Sequence, residues 1–113
     1  MRRGEVWVVN LNPPRGSEIG RIRPVLIMQA DELLAAGMPM VVVLPLTTQI
    51  HTGLSRWRVS IPARDRLLKE SQVVVDQPRT LDRSRLGEGP LTRLTGTEME
   101  AVESGLKIVL GFL

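Results

Sequence analysis

Short β-branched apolar runs constrain this chain most. Val6-Trp7-Val8-Val9, Pro24 to Gln29, Met40-Val41-Val42-Val43-Leu44 and Gln72-Val73-Val74-Val75-Asp76 each stop at polar residues, glycine or proline within a few positions. None is long enough for a buried helix, and none shows helical spacing, so all predict largely buried strands, the third closed by Pro45. Trp57-Arg58-Val59-Ser60-Ile61 alternates apolar with polar and predicts a strand with one solvent-facing side. Between the second and third runs, Asp31 to Ala36 predicts a short helical turn capped by Gly37. Such a chain folds into a compact, mostly antiparallel sheet.

The period changes at the C-terminus. Met99, Val102, Leu106, Val109, Leu110 and Leu113 recur at intervals that put one apolar stripe on a helix beginning near Thr95. Thr95 and Glu98 have capping-box spacing, which fixes that start. The stripe predicts packing on the sheet, and another short helix is expected after Thr80-Leu81-Asp82, ending near Gly87.

A chain of 113 residues makes one domain, 1–113, able to bury roughly two thirds of its unfolded surface. It has no cysteine, which excludes disulfides and thiolate metal sites and suits a reducing cytoplasm. No apolar run approaches membrane-spanning length, and Met1-Arg2-Arg3 runs into Gly4-Glu5-Val6 without a signal-type apolar core, so a soluble cytoplasmic protein is expected. The net charge of +3 comes from arginine far more than lysine and suits contact with a polyanion or an acidic protein.

Chemistry concentrates in the segment Pro14-Arg15-Gly16-Ser17-Glu18-Ile19-Gly20-Arg21-Ile22-Arg23-Pro24. Gly16 and Gly20 allow bends that other residues avoid, and Arg23 stands where Pro24 stiffens the chain before a strand. A guanidinium fixed at the root of a strand meets phosphate with little loss of its own freedom; the plainer alternative is a hairpin loop with solvated arginines. The single histidine, His51, excludes a two-histidine acid-base pair within one protomer. Scattered acidic residues give no metal-binding constellation, no cofactor is called for, and no nucleotide-type glycine loop is present.

Arg3-Gly4-Glu5-Val6-Trp7, Gly16-Ser17-Glu18 leading to Arg23-Pro24-Val25-Leu26, Pro45-Leu46-Thr47-Thr48, and Asp76-Gln77-Pro78-Arg79-Thr80-Leu81-Asp82 occur in order along the chain. In this the chain resembles the MazF/PemK toxins over nearly its whole length, and in its Asp76-Gln77-Pro78-Arg79-Thr80 stretch most of all the Kid/PemK branch. The resemblance implies an α+β, mainly β fold: a small SH3-like antiparallel β-barrel with a C-terminal helix, as in CcdB, Kid and MazF. It implies a homodimeric toxin that cuts single-stranded RNA, including mRNA, without metal, through attack by the ribose 2′-hydroxyl. The products would be a 2′,3′-cyclic phosphate and a 5′-hydroxyl.

Carried over by position, the catalytic pair falls on Arg23 and Thr47, and the RNA-binding residues on Ser17, Glu18, Thr48 and Gln77. A guanidinium and a hydroxyl aimed at the phosphorane oxygens would favour the transition state. Asp76 can accept a proton, orient Arg23 or cap the next turn, Gln77 can read a base edge, and Arg79 can touch phosphate or tie the turn together. His51 is a candidate base or an exposed loop residue. Trp7 reads as core, while Trp57 opens an exposed strand suited to a dimer seam or to lying beneath an antitoxin. An arginine groove of Arg21, Arg23, Arg56, Arg58 and Arg79 would attract a MazE-like acidic antitoxin.

This sequence has Ser17 where Kid-like members carry histidine, Val74 where they carry arginine, and Ile19 where many relatives carry glutamine. A histidine-dependent mechanism is therefore not implied. Two other functions fit the same fold, a CcdB-like DNA gyrase poison without nuclease activity and a non-catalytic nucleic-acid-binding barrel. The poison would not need Arg23 and Thr47 together, and the barrel would bind with salt sensitivity and leave the strand intact.

Overall fold

The computed structural model describes residues 1–10, 22–53 and 57–112. The expectations on Ser17, Glu18, Ile19, Arg21, Arg56 and Leu113 lie outside these residues. The described strands are β1 (Glu5–Asn10), β2 (Ile22–Ile27), β3 (Met40–Thr47), β4 (Arg58–Ile61), β5 (Ser71–Val74), β6 (Arg79–Asp82) and β7 (Thr92–Arg93); the helices are α1 (Asp31–Ala35) and α2 (Gly96–Leu110).

β3 organises the sheet. The strand order is β4-β5-β3-β2-β1-β7, every pairing is antiparallel, and β6 also pairs with β3. β3 keeps β2 on one edge, while its other edge is shared by β6 (Met40–Val43) and then β5 (Leu46–Thr47). Only a long strand bent between two partners can do this, and a run of β-branched valines followed by Leu44-Pro45-Leu46 supplies it. The sheet is accordingly the mainly antiparallel, half-barrel type expected.

Alternation of side chains then makes two apolar layers. On one face Val6, Leu26, Leu44, Leu46, Ile61, Val73 and Val102 form the main core beneath α2. On the other, Val9, Val25, Ile27, Val41, Val43 and Leu81 pack with Leu34 of α1 and half-buried Trp7. Trp7 donates its indole N–H to Glu5 Oε1 (3.1 Å). A Cβ on Gly89 would overlap the Trp7 ring, so only glycine lets the chain cross that indole.

α2 begins as the sequence predicts. Thr95 Oγ1 accepts the Glu98 amide (3.1 Å) and Glu98 Oε1 accepts the Thr95 amide (2.9 Å). Arg64 adds a bidentate pair to the same carboxylate at 2.6 and 2.8 Å, and donates to Thr92 Oγ1 and the Arg93 carbonyl. The Arg64 hydrogen bond holds the Glu98 carboxyl below its ordinary value, against a smaller opposing effect of burial. No helix among the described residues is long and apolar enough to cross a membrane.

Three local expectations change. Pro45 does not close β3, which runs on to Thr47. The short helix expected after Thr80-Leu81-Asp82 does follow them but is shorter than expected, and those three residues themselves belong to β6, where Leu81 fills the second apolar layer opposite Val41. Beyond that strand the chain makes a single 3₁₀ turn, Arg83–Arg85, capped by Asp82, whose carboxylate accepts the Ser84 amide at 2.9 Å. Leu110, assigned to the apolar stripe of α2, is exposed.

Candidate active site

Two prolines shape the region where the expected functional residues meet. Backbone groups of a strand point alternately to its two neighbours. The Met28 amide donates to the Val42 carbonyl (3.0 Å), so even-numbered residues of β2 and β3 face one another, and odd-numbered residues of β3 face β6 and β5. Pro24 therefore falls where β3 would receive an N–H, has none, and the β2–β3 ladder ends at Val25 opposite Pro45. Pro45 falls where β5 would receive one. The Val74 carbonyl accepts from the Gln77 amide instead (3.3 Å), closing the turn that carries Asp76 and Gln77.

Arg23 and Thr47 lie just past the end of that ladder. Both still belong to their strands and fall on one face of the sheet, and the Val25–Pro45 register, were it continued two residues past its last pair, would count Arg23 opposite Thr47. The same face carries Gln72 opposite Thr47, Arg79 opposite Val43, and Arg58 two positions before the Ser60 that pairs with Gln72. This polar row continues the second apolar layer, whose Val9, Val25 and Val43 form its floor. Three guanidinium groups thus share a face with the Thr47 and Ser60 hydroxyls, an arrangement suited to an anion. Among the described residues, Arg58 Nε is the buried side-chain nitrogen without a hydrogen-bond partner.

Thr47 is only 7% exposed. Its Oγ1 accepts the Gln49 amide (3.1 Å), and a hydroxyl oxygen so occupied keeps its own proton to donate elsewhere. Thr48 and Asp76 are exposed, while Gln77 and Arg79 are half-buried. A recess of about 220 Å³ beside Thr48 is lined by Pro24, Leu67, Leu68, Arg66 and Lys69 among others. His51 is exposed, but its backbone is held on both sides by the amide of Gln72. Among the described residues no group of three or more His, Asp or Glu side chains could hold a metal ion.

The structure therefore brings Arg23, Thr47 and Arg79 onto one face and sets Asp76 and Gln77 on the turn beside it. Gln72 was not singled out by the sequence. Its signal was a long polar side chain opening an otherwise apolar strand. Conversely, Arg3-Gly4-Glu5 is structural. The Arg3 amide donates to Asp31 (2.7 Å) and its side chain to the Met28 carbonyl, Gly4 takes φ 89°, and Glu5 accepts from Arg2 and Trp7.

A mainly antiparallel sheet with one C-terminal helix is also the fold of solved toxin structures. MazF from Deinococcus radiodurans superposes with a TM-score of 0.81 at 25% identity, covering 98% of this chain and 96% of that one. An endoribonuclease in complex with its cognate antitoxin, from a mycobacterial species, gives 0.78 at 25% identity, covering 100% and 97%. Endoribonuclease MazF of Staphylococcus saprophyticus is 39% identical over 112 residues, 98% of this chain and 92% of the relative. The family of PemK-like, MazF-like toxins of type II toxin–antitoxin systems matches residues 2–110, and the chain belongs to it.

Proposed function

We propose that this toxin is an endoribonuclease that cuts single-stranded RNA without a metal ion. The 2′-hydroxyl of the nucleotide before the cut loses its proton and attacks phosphorus; the P–O5′ bond breaks and the leaving oxygen takes up a proton. The products are a 2′,3′-cyclic phosphate and a 5′-hydroxyl end. Arg23 neutralises charge that grows on the non-bridging oxygens, and Thr47 donates its hydroxyl proton to one of them. Ser17, Glu18, Thr48, Asp76, Gln77 and Arg79 hold the flanking RNA.

The observation that supports this reading is that Arg23 and Thr47 lie on one face just past the last β2–β3 pair, and that the Thr47 hydroxyl oxygen already accepts an amide. Membership of the toxin family and the name of its relative support RNA cleavage as such. The working form is a homodimer in the cytoplasm, restrained by a MazE-like acidic antitoxin that covers the arginine-rich face.

Primer extension on a long RNA tests the proposal. Wild-type protein should cut at discrete sites in the presence of EDTA, whereas Arg23→Ala and Thr47→Val should each be slower by about 10²–10³-fold. Loss of cutting with EDTA would overturn metal independence. An Arg23→Ala protein that stays toxic in cells would instead favour a gyrase poison.

A further inference from the structure

Gln72 holds both ends of one loop. Its backbone pairs with Thr47, where β3 ends, and its side chain pairs with the main chain of His51, where the loop turns away. Gln72 Oε1 accepts the His51 amide at 2.9 Å, and Nε2 donates to the His51 carbonyl at 3.3 Å and to Ser60 Oγ at 3.2 Å. Because one contact is to an N–H and the other to a carbonyl, the orientation of the side-chain amide is fixed by its partners. The residue is 3% exposed, so water does not compete for these bonds. It acts as an extra rung of sheet supplied by a side chain.

Between those two anchors lie Thr48, Gln49 and Ile50, and the Gln49 amide donates to Thr47 Oγ1. Fixing His51 thus fixes the path of the Gln49 amide, and that amide sets the direction in which the Thr47 hydroxyl can point. We propose that Gln72 is a positioning residue for RNA cleavage, holding the 47–51 loop so that the Thr47 hydroxyl stays aimed at the scissile phosphate. The inference rests on the ribonuclease reading above. It assigns Gln72 no contact with RNA. Its loss should therefore lower kcat, because the aligned hydroxyl matters in the transition state, and leave KM nearly unchanged.

The test uses the full chain and a single-stranded RNA oligonucleotide carrying one site that the wild type cuts. Gln72→Leu should lower kcat by about 10–100-fold with KM within about threefold. The His51 amide should lose protection in hydrogen exchange while the amides of β1 and β2 keep theirs. Gln72→Glu covers the case in which the leucine variant fails to fold. Its carboxylate still accepts the His51 amide but cannot donate to the His51 carbonyl, whereas the protonated acid can. The kcat of Gln72→Glu relative to wild type should therefore rise as pH falls, a trend no purely structural role predicts.

Wild-type kcat in a folded Gln72→Leu, an unchanged His51 exchange rate, or a flat relative pH profile for Gln72→Glu overturns the assignment. A wild type inert on every RNA overturns the ribonuclease reading itself, and this inference with it.

Discussion

At single positions, residues that hold the fold stand apart from those proposed to act on RNA. Gly89 belongs to the first group, because any Cβ there would run into the Trp7 ring. Gly89→Ala should cost about 2–3 kcal/mol, the range for overpacking a rigid contact, read from the urea midpoint at unchanged m. Arg23 and Thr47 belong to the second. Lysine at position 23 keeps the charge but loses the planar fork, so Arg23→Lys should recover only a small part of what Arg23→Ala loses. Thr47→Ser keeps the hydroxyl and should cleave within about tenfold of wild type, in contrast to the valine variant. Single-turnover cleavage of one oligonucleotide ranks all four.

Elements show what the sequence could and could not say. β1, β2, the first half of β3 and α2 were legible because their signals are local: apolar runs of strand length, or a capping box ahead of a stripe. β6 and β7 were not. Arg79-Thr80-Leu81-Asp82 has one apolar residue, and Thr92-Arg93 has none, so their strand character comes from partners far along the chain. Pro45 misled for a related reason. A proline stops a strand when a neighbour needs its N–H, but here the Val74 carbonyl is served by Gln77 and β3 continues. The proposed pair Arg23 and Thr47 came from the family resemblance; Gln72 had no such signal, since its partners are defined only once β5 lies between β3 and β4.

The start of α2 carries the clearest pH dependence. The folded Glu98 carboxyl is held below its ordinary value, chiefly by Arg64, so it binds a proton less readily folded than unfolded. Its stabilising contribution is complete above the unfolded value and is lost as pH falls through the folded one. Glu98→Gln should therefore be less stable than wild type at pH 7, by about 1–3 kcal/mol for a hydrogen-bonded charged pair. That deficit should narrow steadily below about pH 4. Thermal unfolding of both proteins from pH 7 to pH 3 measures it.

For the whole molecule, the net charge of +3 understates the site, because Arg23, Arg58 and Arg79 share one face of the sheet. RNA affinity should fall with salt, log K against log[salt] having a slope of about −0.7 for each phosphate neutralised. Removing Arg79 should flatten that slope by somewhat under one unit, while Gly89→Ala, measured under folding conditions, leaves it unchanged. Fluorescence anisotropy with a labelled uncut RNA analogue across a salt series separates the two.

The prolines at 24 and 45 have one more consequence, for the cost of admitting a guest. An anion entering between positions 23 and 47 meets two strands whose hydrogen-bonded pairing has already stopped. No β2–β3 pair beyond Val25–Pro45 would have to be undone for it. Restoring an N–H at position 24 would let the strands zip one step further and shut that entrance. In this molecule a missing hydrogen-bond donor is what keeps the door ajar.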